Sequence, residues 1–171
     1  MPNLVLTGFM GTGKTTVGKR VARELGMKFV DTDKEIEKIT GLTVSEIFSG
    51  YGEVRFRSEE LAAVRRLAQG DNQVIATGGG VVLNRENMTL LRANGVVVCL
   101  MATPEVIYER VRRKRNRPLL ATADPEATIN KLLQERDSYY RAADGVVDTS
   151  GKSPEKVRDE IIAIFKSRLG N

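Results

Sequence analysis

The sequence predicts an α/β protein built on a parallel sheet of five strands. Short apolar runs alternate with longer amphipathic runs along its 171 residues, and this alternation is typical of units in which a helix connects two parallel strands. Proline-containing triplets mark the starts of later helices and support the same reading. The predicted strands are Asn3 to Thr7, Lys28 to Asp31, Gln73 to Thr77, Val96 to Met101 and Gly145 to Asp148.

The predicted helices follow from apolar spacing and from capping residues. The first places Val17, Val21 and Leu25 on one face and ends at Gly26, a residue suited to the left-handed turn after a helix. In three later helices an oxygen-bearing cap, a proline and a glutamate stand at the start. These triplets are Thr103-Pro104-Glu105, Asp124-Pro125-Glu126 and Ser153-Pro154-Glu155.

Length and composition predict one globular domain over residues 1–171. Hydrophobic residues make up 41% and charged residues 29% of the chain, a balance that suits a packed core. Histidine is absent, which excludes mechanisms that need imidazole, including Ser/His/Asp catalysis and His-ligated zinc. The single cysteine, Cys99, lies in an apolar run and is predicted to be a buried strand thiol, which favours a reducing cytosol.

The net charge of +5 is concentrated in one segment. Six positive residues and no acidic ones stand between Arg110 and Arg117, which favours one local anion site over a broad nucleic-acid surface. Helix-breaking residues within 112–124 suggest a mobile lid. No apolar run is long enough for a signal peptide or a membrane span. We expect a cytoplasmic monomer that binds neither nucleic acid nor membrane.

The strongest motif is the glycine loop from Gly8 to Thr15, GFMGTGKT, between a predicted strand and a predicted helix. Such loops wrap backbone N–H groups around phosphate oxygens, and the lysine reaches the outer phosphates while the hydroxyl serves Mg²⁺. The alternative is a tight turn with an incidental lysine. The sequence favours phosphate binding through Gly11, Thr12, Gly13, Lys14, Thr15 and Thr16.

Two further polar groups follow predicted strands. Asp31 and Asp33 end the second strand, where an extended backbone would turn both carboxylates toward one cleft, unless one of them only caps the next helix. Gly78, Gly79 and Gly80 follow the third strand, and two explanations stay open. Either a ligand approaches the backbone closely, or the turn requires positive φ.

Gly50 to Arg57 introduces a helix with Leu61, Val64 and Leu67 on its apolar face. Phe56 and Arg57, near the start of this helix, could line a pocket for a small acid, although an arginine on a helix is more often solvated.

In order and approximate spacing these motifs resemble the shikimate kinase family across almost the whole chain. The shared segments are the glycine loop, Asp31-Thr32-Asp33, Gly52-Glu53 with Phe56-Arg57, Ala76 to Val82, Arg117-Pro118-Leu119-Leu120 and Arg136. The resemblance implies a P-loop kinase fold with helices on both faces of the sheet, a substrate region over about 32–60 and a lid over ATP. It also implies phosphorylation of the 3-hydroxyl of shikimate, which belongs to aromatic amino-acid biosynthesis.

The resemblance implies a role for each matching residue. Asp33 would act as the base or orient the acceptor hydroxyl, and Lys14 and Arg117 would contact the transferring phosphate. Thr15 and Asp31 would hold Mg²⁺. Arg110 and Pro154 would flank the adenine of ATP, and the acceptor would be bound by Phe56, Arg57, Gly78, Gly79, Gly80 and Arg136.

Three alternatives remain open at this point. Gluconate kinases and nucleoside monophosphate kinases share the glycine loop and the scaffold, but they lack the ordered set of triple glycine, Phe-Arg and Arg-Pro-Leu-Leu. A nucleotide-dependent regulatory domain without turnover is also compatible with the fold.

Overall fold

A computed structural model describes residues 1–114 and 120–170, and its centre is a sheet of five strands whose neighbours all pair in parallel. The strand order is β2-β3-β1-β4-β5, so the first strand lies in the middle. The predicted sheet is therefore confirmed, with boundaries that differ by one residue. The strands are β1 (Asn3–Thr7), β2 (Lys28–Asp31), β3 (Gln73–Ala76), β4 (Gly95–Met101) and β5 (Gly145–Asp148).

Seven α-helices and one short 3-10 turn occupy the described part of the chain. The 3-10 turn covers Val81–Leu83, directly after the triple glycine. None of the helices described here combines the length and the apolar composition that a membrane span requires. The helices are α1 (Lys14–Leu25), α2 (Thr32–Thr40), α3 (Val44–Ala68), α4 (Arg85–Ala93), α5 (Pro104–Val111), α6 (Pro125–Arg141) and α7 (Pro154–Leu169).

The predicted starts of α5, α6 and α7 are confirmed. The cap side chains of Thr103, Asp124 and Ser153 each accept a hydrogen bond from a backbone N–H of the first turn, and each proline stands in that turn. At the other end of α1, Gly26 adopts the left-handed conformation with φ 64° and ends the helix.

Helices cover both faces of the sheet because side chains alternate along the strands. Leu4 and Leu6 of β1 pack with α1 and α7 on one face, whereas Val5 between them packs with α3 and α4 on the other. Beyond β4, α5 and α6 enclose a third cluster that includes Cys99, which is fully buried as predicted. The two covered faces fix the register of β1, since a shift by one residue would exchange them.

The region after β2 differs from the prediction in two ways. β2 ends at Asp31, and Thr32 and Asp33 already belong to α2, so the extended geometry predicted for this pair is wrong. The helix that contains Arg57 begins at Val44 rather than near Gly50. It is kinked at Gly52, where φ 83° and ψ 175° interrupt the helical backbone.

Part of the predicted lid, residues 112–124, lies outside the described residues. Arg117 belongs to that part, which covers 115–119. On its near side α5 ends at Val111, and on its far side α6 begins at Pro125.

Candidate active site

The glycine loop joins β1 to α1 at the carboxyl end of the central strand, where ligands of open α/β sheets bind. Gly8 has φ 136°, and a Cβ on it would stand 2.2 Å from the carbonyl oxygen of Leu100. Gly13, with φ 96°, precedes α1 and leaves the first N–H groups of that helix without a side-chain cap. This geometry suits an anion, since uncapped N–H groups at a helix start attract phosphate oxygens.

Lys14 is buried within this loop and lies against its backbone. Its Nζ donates to the carbonyl oxygens of Gly8 at 2.6 Å and Phe9 at 2.8 Å. These bonds hold the ammonium group inside the loop curve, close to where the outer phosphates of a nucleotide would enter.

Thr15 and Asp31 bring two oxygen ligands together. The Thr15 hydroxyl donates to Asp31 Oδ2 at 3.2 Å, while Asp31 Oδ1 accepts from the backbone N–H groups of Asp33 and Lys34. Asp31 is therefore the cap of α2 and also a candidate metal ligand. Mg²⁺ in nucleotide sites takes one or two protein ligands and completes its shell with water and phosphate, and this pair fits that pattern. No group of three metal-binding side chains occurs in residues 1–114 and 120–170.

A cavity of about 520 Å³ extends from the glycine loop toward α5 and α7. Arg110 of α5 forms one wall, and its guanidinium donates to the carbonyl oxygen of Gly11 and to both oxygens of Thr149. Edge-on bonds of this kind leave the flat faces of the guanidinium available for stacking on an aromatic base. Pro154 lies on the wall of the same cavity.

A second cavity, of about 320 Å³, adjoins the first and lies between α2, α3 and the triple glycine. Asp31, Asp33 and Gly79 line both cavities. The junction between the cavities is thus the place where a group could pass from a nucleotide to an acceptor. Phe56, Arg57, Gly80 and Arg136 also line the second cavity.

The structure excludes one of the two explanations for the triple glycine. None of Gly78, Gly79 and Gly80 has a φ in the left-handed region, so positive φ is not the reason for glycine. A Cβ on Gly80 would stand 2.4 Å from Arg57 Nη1, and one on Gly78 would stand 3.0 Å from Asp33 Oδ1. A Cβ at Gly80 or Gly78 would therefore displace charged side chains of the site from their present positions.

Arg57 is held by a carboxylate that the sequence prediction missed. Its Nη1 donates to both oxygens of Glu60 at 3.0 and 3.2 Å, and its Nη2 donates to Glu53 at 3.3 Å. Glu60 is 1% exposed. Burial raises the pKa of Glu60 to about 7 against the opposing effect of the Arg57 charge. The spacing of three residues on a helix is the signal from which this pair could have been predicted.

Arg136 reaches the second cavity from α6 and is 4% exposed. Its guanidinium lies over the ring of Phe9 at 5.8 Å, so the glycine loop supports it. One turn later on α6, Tyr140 donates its hydroxyl to the carbonyl oxygen of Gly79 at 2.7 Å. The sequence prediction missed Tyr140 as well.

The structure thus brings the predicted residues into two adjoining cavities. The larger cavity is lined by the residues that were predicted to bind the nucleotide. The smaller cavity is lined by the residues that were predicted to bind the acceptor. Arg117 is the exception, since it lies outside the described residues. The arrangement offers a phosphate loop, two metal-ligand oxygens, and two arginines opposite a carboxylate. Such a set suits phosphoryl transfer to a small anionic acceptor.

Comparisons with known proteins agree with this chemistry. The family model described as shikimate kinase matches residues 10–166. The shikimate kinase of Caldanaerobacter subterraneus subsp. tengcongensis is 53% identical over 165 residues, which cover 96% of both chains. That of Thermodesulfovibrio yellowstonii is 52% identical over 171 residues, which cover all of this chain and 98% of the relative.

A solved structure gives the same result. The shikimate kinase from Acinetobacter baumannii, in complex with shikimate, superposes with a TM-score of 0.94 at 38% identity, covering 98% of this chain and 94% of that one. This chain therefore has the fold of that shikimate kinase. Its two arginines, its glycine-rich turn and its phosphate loop lie within that fold. The chain belongs to the shikimate kinase family.

Proposed function

We propose that this protein transfers the γ-phosphoryl group of ATP to the 3-hydroxyl of shikimate, giving ADP and shikimate 3-phosphate for aromatic amino-acid biosynthesis. The observation that carries the proposal is the pair of adjoining cavities, which meet at Asp31, Asp33 and Gly79. Phosphoryl transfer needs two ligands in line, with charge neutralised between them and water excluded.

ATP would occupy the larger cavity. The triphosphate would lie in the loop formed by Gly11, Thr12, Gly13, Lys14, Thr15 and Thr16, and adenine would lie between Arg110 and Pro154. The Arg110 bonds to Gly11 and Thr149 support this placement, because they fix the guanidinium beside the loop.

Shikimate would occupy the smaller cavity. Arg57 and Arg136 match a carboxylate, since a guanidinium donates two parallel hydrogen bonds to it. Phe56 and the backbone of Gly78 to Gly80 would complete the acceptor site. The Asp33 carboxylate would accept the proton of the 3-hydroxyl, or a hydrogen bond from it, and so aim the oxygen at the γ-phosphorus. The new O–P bond forms there as the bond to the ADP oxygen breaks.

Mg²⁺ would be held by the oxygens of Thr15 and Asp31, and it would neutralise charge on the phosphates. Lys14 would contribute a second positive charge from within the loop. Arg117 would provide a third from a lid over residues 112–124, with its charge most valuable in the transition state.

The whole chain, residues 1–171, would act as a single kinase domain with the acceptor region over about 32–60. We expect it to work as a cytoplasmic monomer without nucleic-acid or membrane partners. The excess of positive charge supports this, because it stands in one segment of the sequence, Arg110 to Arg117, of which Arg110 and Lys114 line the nucleotide cavity.

The proposal is tested by measuring ADP release from ATP and Mg²⁺ in the presence and absence of shikimate, with mass spectrometry of the product. We expect ADP and phosphorylated shikimate in equal amounts. Gluconate and nucleoside monophosphates serve as alternative acceptors, and Lys14→Met controls for contaminating kinases.

Two outcomes would contradict the proposal. Phosphorylation of gluconate or a nucleotide in preference to shikimate would assign a different acceptor. Nucleotide binding without any phosphorylated product would indicate a regulatory domain.

A further inference from the structure

Tyr140 is a buried tyrosine that touches the backbone of the acceptor site. Its side chain is 1% exposed, and its hydroxyl donates to the Gly79 carbonyl oxygen at 2.7 Å, across 61 residues of sequence. Burial raises the pKa of Tyr140 to about 12, so the hydroxyl keeps its proton and remains a donor throughout the working pH range.

This hydrogen bond differs from the others that hold the triple glycine. The remaining carbonyl groups are bonded locally, within the turn that leads into Val81–Leu83, and one N–H is bonded from α2. Those bonds are Gly78 O with the Val81 N–H at 3.2 Å, Gly80 O with the Leu83 N–H at 3.1 Å, and the Gly78 N–H with Thr32 Oγ1 at 2.9 Å. Among these contacts, only the bond from Tyr140 ties the turn to α6.

The same helix supplies an arginine of the acceptor site. Arg136 and Tyr140 are four residues apart and therefore lie on one face of α6. A Cβ on Gly79 would stand 3.6 Å from Arg136 Nη1, so the guanidinium lies directly beside the backbone that Tyr140 holds. One face of α6 thus carries the Arg136 charge and also the Tyr140 hydroxyl, which is hydrogen-bonded to the turn beside that charge.

We propose that Tyr140 is a positioning residue for the acceptor, because it fixes the distance between the Gly79 backbone and the Arg136 guanidinium. The inference rests on the proposed function and adds to it a residue that does not contact the reacting atoms. Removal of the hydroxyl leaves the partly buried carbonyl oxygen of Gly79 without this donor, and the turn is then free to move relative to α6. Gly79 also lines the nucleotide cavity, but the hydrogen bonds described above for Lys14, Thr15 and Arg110 in that cavity go to Gly8, Phe9, Asp31, Gly11 and Thr149.

The test compares Tyr140→Phe with Tyr139→Phe. Phenylalanine keeps the ring that packs in the core and removes only the hydroxyl, and Tyr139, the neighbouring residue on α6, is 48% exposed. For Tyr140→Phe we expect the KM for shikimate to rise about tenfold, which corresponds to one lost hydrogen bond with a partly buried partner. The KM for ATP should change less than twofold, and Tyr139→Phe should leave both values unchanged.

Calorimetric titration of shikimate without nucleotide provides a second measurement, and it should show the same tenfold loss. Equal increases in both KM values would indicate general loosening of the fold and would overturn the positioning role. So would an unchanged KM for shikimate in Tyr140→Phe while the wild type phosphorylates shikimate normally. A wild type that does not phosphorylate shikimate would overturn the proposed function, and this inference with it.

Discussion

Asp31 and Asp33 are two residues apart, but the fold holds them differently. Asp31 caps α2 and meets the Thr15 hydroxyl, whereas Asp33 lies within the first turn of α2 and lines both cavities. Asparagine caps helices as well as aspartate does, so Asp31→Asn should preserve the start of α2, and Asp33→Asn keeps the size of a side chain that is not the cap. The two carboxylates can therefore be compared directly.

We predict that Asp33→Asn lowers turnover roughly 100-fold, because the charge that attracts the hydroxyl proton is lost. Asp31→Asn should instead raise the Mg²⁺ concentration needed for half-maximal rate. Steady-state rates measured over a range of Mg²⁺ concentrations separate the two effects. An equal Mg²⁺ requirement in both variants would refute the division of roles.

Glu60 is predicted to make stability depend on pH. Its pKa rises from an ordinary 4.5 to about 7 in the folded protein because burial outweighs the pairing with Arg57. Asp33 faces it from α2 and Arg136 faces it from α6. Between these pH values the folded state holds a proton that the unfolded chain has released, so this group's contribution to stability falls as pH rises from 4.5 to 7.

Glu60→Gln removes this titration. Relative to the wild type, the variant should gain about 3 kcal/mol of unfolding free energy between pH 4.5 and pH 8. Urea denaturation at both pH values measures the change. Glu59→Gln removes a neighbouring carboxylate that pairs with Arg55, and the effect specific to Glu60 is the difference between the two variants. A difference that does not vary with pH would refute the prediction.

Among the helices, α3 shows how one residue orients a whole element. Gly52 adopts φ 83° and ψ 175°, a region open almost exclusively to glycine. The kink redirects the helix just before Phe56 and Arg57, which line the acceptor cavity. Neither Gly52 nor Gly50 has an atom within 4 Å of an added Cβ, so backbone conformation alone distinguishes them.

Gly52→Ala should therefore destabilise the protein by about 1 to 3 kcal/mol and raise the KM for shikimate. Gly50→Ala, in the regular part of the helix, should stabilise it by roughly 0.5 to 1 kcal/mol. Urea denaturation and steady-state kinetics measure the two effects. Similar unfolding free energies for the two variants would show that the kink does not require glycine.

Across the whole molecule, the sheet and the helix ends were predictable because their causes are local. Apolar alternation located the five strands, and the capping triplets before Pro104, Pro125 and Pro154 located three helix starts. The helical position of Asp33 also has a local cause, because Asp31 caps α2, and the sequence left that alternative open. The kink at Gly52 was not predictable in this way, since Gly50 stands in the same segment and keeps the helical backbone.

The candidate site shows the same limit. Motifs found the residues of both cavities, because a glycine loop or a triple glycine is visible without the fold. They did not find Glu60, which belongs to none of the motifs, or Tyr140, whose partner Gly79 becomes its neighbour only through packing. In the sequence, only helical spacing points to these two residues, since Glu60 stands three residues after Arg57 and Tyr140 stands four residues after Arg136.

The strand order β2-β3-β1-β4-β5 separates the two halves of the reaction in space. The glycine loop follows the central strand, whereas α2 and α3 follow β2 at the edge. An edge strand pairs on one side only, so the segment attached to it can change with little effect on the rest of the sheet. The α2 and α3 part of the acceptor site can thus change most readily, whereas Gly79 and Arg136 stay with β3 and α6. A designer who wants a new acceptor has reason to begin at that edge.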